Sequence, residues 1–198
     1  MKPVHYLLLT CAFLVLSAFG PADRITWLAE SVPVMIAIPL LFATRGTFPL
    51  TPLLYLLLFL HGLVLLLGSF YTYAEVPLGH WLQELFGFER NHYDRLAHFM
   101  QGFTPAILAR EFLLRLTPLT KGGWLFLLVV CACLAFSAFY ELIEWWAALA
   151  LGSSADAFLG MQGDQWDTQW DMFLALCGVL SAQLALSNLH DRQLVRFT

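Results

Sequence analysis

The amino-acid sequence predicts an all-α, polytopic membrane protein: a bundle of six transmembrane helices with one short interfacial helix. Hydrophobic residues form 60% of the chain and charged residues 12%, whereas soluble domains contain about 45–50% and about 25%. A chain of 198 residues has too small an interior to bury that much apolar surface, so lipid must cover the remainder. We interpret residues 1–198 as a single transmembrane domain, because no linker or internal repeat interrupts the apolar pattern.

Six apolar stretches have about the length, roughly 20 residues, that crosses a bilayer as a helix. They lie at about 4–20, 25–43, 51–73, 92–114, 123–149 and 167–188. Turn-forming residues separate successive stretches, as Gly20-Pro21 and Gly122-Gly123 illustrate. We interpret the first stretch as a span rather than a signal peptide, because no clear cleavage site of small residues follows it.

Positively charged residues divide unevenly between the two sides that six spans would define. Cytoplasmic termini would leave most of them inside, namely Lys2, Arg45, Arg110, Arg115, Lys121, Arg192 and Arg196. Only Arg24, Arg90 and Arg95 would then lie outside. Because cytoplasmic loops carry an excess of Lys and Arg, both termini are predicted to be cytoplasmic. We interpret Arg110, Arg115 and Lys121 as inner-surface anchors that face anionic lipid.

Two connections on the predicted outer side are long, at about 74–91 and about 150–166. The first is predicted to contain a short amphipathic helix that lies in the membrane interface. Its apolar face would consist of Trp81, Leu82, Leu85 and Phe86. Such connections suit either a lid over a polar site or an interfacial cover without chemistry.

Ionisable residues recur at helical spacing at the ends of three predicted spans. Each group forms a stripe on one helix face because its members are three or four residues apart. The stripes are Asp94 and His98 in the fourth span, Glu141 and Glu144 in the fifth, and Asp164, Asp167 and Asp171 in the sixth. These helix ends all lie on the predicted outer side, so we expect the stripes to converge at one shallow depth.

Carboxylates this close together repel one another, so they must be protonated, hydrated or paired with a cation. Arg90 and Arg95 are too few to neutralise them, and helix bundles commonly hold a metal with His and carboxylate ligands. No cysteine joins the cluster, which favours Zn²⁺, Mg²⁺ or Mn²⁺. The predicted ligands are Asp94, His98, Glu141, Glu144 and Asp171. Glu144 or Asp167 would act as the general base.

Each residue of the cluster also has a structural interpretation. His98 alone would be typical of a hydrogen-bonded interior histidine. Asp164 and Asp167 could be helix caps. Glu144 stands beside two tryptophans and could extend toward the interface.

Two further polar residues lie within predicted spans. Glu30 is in the outer part of the second span, where it would either join the cluster or lie near the helix surface. His61 is in the middle of the third span, where a hydrogen bond to a backbone carbonyl is the simplest interpretation and a cavity lining is the alternative.

The three stripes lie in the segments 90–99, 140–145 and 163–172. These segments resemble the YjdF family of bacterial inner-membrane proteins, and the likeness extends over most of the chain. The resemblance implies an inner-membrane location and topology rather than a particular activity. The chain is also faintly similar to VanZ-like membrane proteins, which carry an Asp-x-x-x-His-Phe turn, although Arg95 stands where they tend to have Lys.

The sequence thus predicts an inner-membrane protein whose outer-face cluster serves a metal-dependent hydrolase acting on a lipid or lipid-linked substrate. A net charge of −4 without a basic run disfavours a nucleic-acid partner. A small proton- or cation-coupled transporter is the first alternative, and it would need to oligomerise because carriers are usually larger and built from repeats. A structural assembly protein, in which the cluster only locks helices together, is the second.

Overall fold

A computed structural model of the chain describes residues 3–151 and 162–197. The regular elements within these ranges are all helical, which confirms the predicted all-α class. The α-helices are α1 (Pro3–Ser17), α2 (Arg24–Thr44), α3 (Pro52–Tyr71), α4 (Pro77–Phe86), α5 (Tyr93–Leu116), α6 (Gly123–Leu151) and α7 (Asp167–Leu194). One 3₁₀ turn, Tyr73–Glu75, joins α3 to α4.

Local sequence signals determine where several helices begin and end. Asp23 caps α2 by accepting a hydrogen bond of 2.7 Å from the backbone N–H three residues later. Thr51 caps α3, and Pro52 follows in the first turn, where its missing N–H costs nothing. α4 ends at Gly87, whose φ of 68° lies in the left-handed region that glycine adopts without strain. Each of the six longer helices therefore begins within one residue of a predicted stretch.

Four helices, α2, α3, α6 and α7, are long and apolar enough to cross a membrane. The predicted count of six spans is not confirmed, for two different reasons. α1 is apolar but has only 15 residues. α5 has 24 residues, but five of them are charged: Asp94, Arg95, Arg110, Glu111 and Arg115.

The most extensive helix–helix contact joins α5 to α7. Two glycines make this contact close, because each lies against the backbone of the other helix. A Cβ atom at Gly102 would overlap the carbonyl oxygen of Ala175, and a Cβ at Gly178 would overlap that of Phe99. Small residues commonly allow such backbone contact between membrane helices. The crossing fixes the rotation and height of α5 relative to α7.

The main hydrophobic core fills the space between α3, α5, α6 and α7. Its largest fully buried side chains are Leu54, Ile107, Val129 and Val179. Many large apolar side chains instead face outward, such as Leu16, Leu40 and Leu184, which are 57–77% exposed. An apolar exterior around an apolar core is the arrangement of a membrane protein.

The short helix predicted within residues 74–91 is α4. It is amphipathic, since Trp81, Leu85 and Phe86 form an exposed apolar side and Gln83 and Glu84 lie on the opposite side. The second predicted connection, at about 150–166, lies largely outside the described residues. Its described end contacts the start of α5, where Asn91 and Gln162 exchange two hydrogen bonds of 3.0 and 2.8 Å.

Candidate metal centre

The α5–α7 crossing brings one histidine and two carboxylates together at the start of both helices. Asp94, His98 and Asp171 each offer a ligand atom, and these atoms all lie within 4.8 Å of one another. All three residues are buried, with exposed fractions of 8%, 5% and 1%. Among the described residues, this is the only His, Cys, Asp and Glu group with such close ligand atoms.

The distances within this group are too long for hydrogen bonds. His98 Nε2 lies 3.6 Å from Asp94 Oδ1 and 3.9 Å from Asp171 Oδ2, whereas a hydrogen bond to nitrogen is about 2.7–3.2 Å long. Ligand atoms at about 2.1 Å from a tetrahedral ion would be about 3.4 Å apart. The group therefore has nearly the spacing of ligands that share one ion.

The orientation of the His98 ring is set from its other side. Nδ1 lies 3.1 Å from Oε1 of Gln101. In the neutral tautomer that donates from Nδ1 to this oxygen, Nε2 keeps its lone pair. That lone pair faces the two aspartates. Fixing the tautomer of a histidine ligand through its second nitrogen is usual in metal sites.

Glu141 on α6 lies beside the same histidine. Its Oε1 is 3.8 Å from His98 Nδ1, and the residue is 8% exposed. Within the described part of the chain, Oε1 of Glu141 and Oδ1 of Asp171 are buried without a hydrogen-bond partner. Buried carboxylate oxygens rarely stay unpaired because desolvation is costly. The donor set and its unpaired atoms therefore fit a divalent cation.

Glu144 does not join the close group around His98. It lines a cavity of about 130 Å³ between α2, α3, α5 and α6, into which Asp94 and His98 also project. The volume is enough for several water molecules, each of which needs at least about 10–15 Å³. Glu144 is thus placed to contact a molecule in the cavity rather than to share the compact ligand set.

The two aspartates before and at the start of α7 have arginine partners. Asp167 Oδ1 accepts a hydrogen bond of 2.7 Å from Arg90, and Asp164 Oδ2 accepts one of 2.8 Å from Arg95. Asp164 also accepts from the backbone N–H of Trp166 at 2.9 Å. These ion pairs join the start of α5 to the start of α7 next to the group of Asp94, His98 and Asp171. Asp167 is therefore held by a guanidinium group, which leaves it less suited to be a general base.

Two residues outside the three stripes also face the cavity. Glu30 on α2 is 3% exposed, and His61 lies in the middle of α3. Both oxygens of Glu30 and Nε2 of His61 lack hydrogen-bond partners within the described residues. The simplest sequence interpretation of His61, a hydrogen bond to a carbonyl, is therefore wrong for Nε2.

A second polar cluster, at the opposite end of α5, was missed by the sequence reasoning. Glu111 and His190 are both fully buried, and His190 Nε2 lies 3.1 Å from Glu111 Oε2. Glu111 also accepts hydrogen bonds from Arg115 at 2.7 Å and from the Thr51 hydroxyl at 2.8 Å. We call the set Glu111, His190, Arg110, Arg115, Thr51 and Asp191 the inner network. The only sequence signal for it was charge inside apolar helices.

The inner network corrects the prediction that two arginines face lipid. Arg110 is 4% exposed and donates to His190 Nδ1 at 2.9 Å, while Arg115 also donates to the backbone carbonyl of Pro49 at 2.7 Å. Both prefer carboxylate and carbonyl partners inside the bundle because an unpaired charge in lipid is costly. Lys121 remains half exposed and lies 3.0 Å from Asp191 Oδ2.

The chain as a whole has relatives among known proteins. A family model described as a predicted membrane protein, DUF2238, matches residues 3–192. The chain is 53% identical over 184 residues to the inner membrane protein YjdF of Escherichia coli (strain K12), covering 93% of this chain and 88% of that protein. No solved structure matches the chain.

Proposed function

The chain belongs to the DUF2238 family of membrane proteins, and from that premise we propose that it is a metal-dependent hydrolase of the inner membrane. Its substrate would be a lipid or lipid-linked molecule that reaches the outer face. One observation carries the proposal: Asp94, His98 and Asp171 offer buried ligand atoms within 4.8 Å of one another. Zn²⁺, Mn²⁺ and Mg²⁺ are the ions that suit imidazole and carboxylate ligands.

The proposed topology has six spans and both termini in the cytoplasm. α5 would be the fourth span, since 24 residues extend about 36 Å at 1.5 Å per residue and the hydrocarbon core is about 30 Å thick. Its charged residues Asp94, Arg110 and Glu111 are buried in the bundle rather than exposed to lipid. α1 would cross with local thinning of the bilayer, and α4 would lie in the outer interface.

In the proposed centre, Asp94, His98 and Asp171 bind the ion. Glu141, whose nearest contact is His98 Nδ1 rather than Nε2, lies outside the group of three ligand atoms and would instead accept a hydrogen bond from bound water. The ion would polarise a carbonyl or phosphoryl oxygen of the substrate and lower the pKa of a bound water. The cavity that Asp94 and His98 line would have room for both the water and the group that is attacked.

Glu144 is the proposed general base. It shares the cavity with Asp94 and His98, so a water there could transfer a proton to its carboxylate as the oxygen attacks. The same proton would then pass to the leaving oxygen when the substrate bond breaks. Asp167, the other candidate from the sequence, would instead position the start of α7 through its bond to Arg90.

Metal analysis of the full-length protein in detergent tests this proposal directly. We expect stoichiometric Zn²⁺ or Mn²⁺ after purification or reconstitution, and loss of most of it in His98→Ala and Asp171→Asn. His80→Ala is the matched control, because His80 lies on α4 and pairs with Glu75 outside the cavity. Absence of metal from the wild type, or the same metal content in all variants, would contradict the proposal.

One observation favours a second candidate function, proton- or cation-coupled transport. His61 lines both the cavity of the metal centre and a second cavity of about 130 Å³ toward α1. A polar group between two cavities is the arrangement that a proton path needs. The second cavity is otherwise mostly apolar, with Leu7, Val34 and Leu41 in its wall. Proton flux into vesicles that disappears in His61→Leu but survives in His98→Ala would support transport over hydrolysis.

A further inference from the structure

Glu30 is the most conspicuous unpaired group in the described part of the molecule. The residue is 3% exposed, and neither carboxylate oxygen has a hydrogen-bond partner among the described residues. Burying a carboxylate without a partner is strongly unfavourable because the group loses its hydration. Glu30 faces the cavity of the metal centre, so a molecule in that cavity can supply the missing partner.

Among the described residues, acidic and aromatic side chains surround Glu30, and no permanently positive side chain does. Among the described residues that line the cavity, none is Lys or Arg, while Glu144 is a further acid. Tyr73, Tyr140 and Phe136 add aromatic faces and hydroxyl groups to the same wall. Arg90 and Arg95 contribute their charge to Asp167 and Asp164 instead.

The chemistry of this wall fits an organic cation better than a second metal ion. In the described ranges, the carboxylate of Glu30 has no group of metal ligands within the close spacing that Asp94, His98 and Asp171 show. A primary ammonium group offers three donors and is attracted to aromatic faces. Apolar residues complete the wall, including Pro33, Leu65 and Pro105, which suits a hydrocarbon chain attached to the ammonium.

We propose that the Glu30 side of the cavity binds the primary ammonium group of an amphiphile, next to the metal centre. This inference rests on the proposed function, because it names the class of substrate on which that centre acts. The ammonium would donate to Glu30 and Glu144, while the apolar chain extends between α2 and α6 toward lipid. The ammonium can belong to an ethanolamine headgroup or to a free long-chain amine.

Binding to the purified full-length protein in a nonionic detergent provides the test. The probes are dodecylammonium and dodecanol, which share a chain length and differ in charge. We expect dodecylammonium to bind the wild type about tenfold or more tightly than dodecanol does, because charged hydrogen bonds in a buried site are strong. Equal affinities would overturn the proposal without any variant.

Two substitutions locate the site. Glu30→Gln keeps the shape of the side chain and should weaken dodecylammonium binding about tenfold or more, whereas Glu84→Gln, on the exposed side of α4, should not. Glu30→Gln should also retain its metal. If it binds dodecylammonium as the wild type does, the inference fails while the metal proposal stands.

The source of the ammonium group is resolved with vesicles. Protein reconstituted with phospholipids that carry ethanolamine headgroups should resist dodecylammonium, because the lipid already occupies the site. Choline headgroups, which cannot donate hydrogen bonds, should leave the site open. If ethanolamine lipid does not compete, the free amine is the ligand. Amine binding should persist in His98→Ala after its metal is lost, because Glu30 and Glu144 rather than the ion hold the ammonium. Loss of amine binding together with the metal would place the amine on the ion and overturn the proposal.

Discussion

Gly102 on α5 lies against the carbonyl oxygen of Ala175 on α7, so closely that a single added carbon would overlap it. His98 is one helical turn before Gly102, and Asp171 is one turn before Ala175. The contact therefore sets the separation of the two strongest candidate ligands from different helices. Because the two backbones are this close, the geometry of the ligands requires that residue 102 have no side chain.

Gly102→Ala should separate the two helices and damage the metal centre. We expect a loss of about 1–3 kcal/mol in the free energy of unfolding, the usual cost of overpacking a rigid contact, together with weaker metal binding. Gly46→Ala is the control, because a Cβ there meets nothing within 4 Å. Thermal unfolding and metal content measured on the same samples check both effects. Unchanged values in Gly102→Ala would show that α5 and α7 can separate without cost.

Gln101→Leu should weaken metal binding without removing a ligand. The substitution deletes the acceptor for His98 Nδ1, so the ring loses its fixed tautomer. Loss of such supporting groups typically costs about 10–100-fold in metal affinity. Gln101→Glu, which keeps an acceptor, should restore most of it. Competition with a chelator measures the affinities, and identical affinities for Gln101→Leu and the wild type would contradict this account.

Glu111→Ala should destabilise the protein but leave the metal in place. The substitution leaves His190 and Arg115 buried without their shared partner, and breaking a buried pair on one side costs about 3–5 kcal/mol. Glu89→Ala, at an exposed site, should cost less than about 0.5 kcal/mol. Unfolding in mixed detergents gives the two free energies. A metal content that falls with Glu111→Ala would show that the two ends of α5 are coupled.

Protonation of His92, just before α5, should lower the stability of the folded protein in acid. Burial and the positive charges of Arg95 and Arg90 lower the pKa of His92 below its ordinary value of 6.5, and its Nδ1 accepts a hydrogen bond of 3.1 Å from Arg95. The folded state therefore binds fewer protons than the unfolded state. Its contribution is present above pH 6.5 and is lost as the pH falls through and below that value.

The measurement is the thermal unfolding midpoint between pH 8 and pH 5, compared between the wild type and His92→Gln. The unfolding midpoint of His92→Gln should fall less than that of the wild type as the pH decreases. His80→Gln is the matched control of opposite sign, since hydrogen bonds to Glu75 and Gln83 raise the pKa of His80. Protonation of His80 therefore stabilises the folded state, and that contribution is lost as the pH rises. A His92→Gln curve parallel to the wild type would contradict the assignment.

Helix positions were readable from the sequence, whereas helix rotations were not. Apolar length and turn residues gave the start of α5 and α7 to within one residue, since both depend on local chemistry. The stripes were also visible, but which member meets which neighbour depends on the crossing at Gly102 and Gly178. The sequence therefore predicts Asp94 and Asp171 in the cluster, but it does not predict that Asp167 pairs with Arg90.

Buried charge is the second property that the sequence showed only in part. Arg110 resembled a surface anchor because its position along the chain is near a helix end, and its partner His190 lies 80 residues later. The sequence leaves two interpretations of Glu30 open, because only the assembled bundle shows that its side chain lines a cavity. Pairings between distant helices require the tertiary arrangement.

The charges of α5 have a consequence for how the protein is made. Three α5 residues, His98, Glu111 and Arg110, have partners on α7, namely Asp171, His190 and Asp191. Because α7 follows α5 along the chain, Arg110 lacks its carboxylate partner until α7 has been synthesised and has entered the membrane. A nascent chain that stops before residue 167 should therefore be degraded by membrane proteases faster than the chain that includes α7.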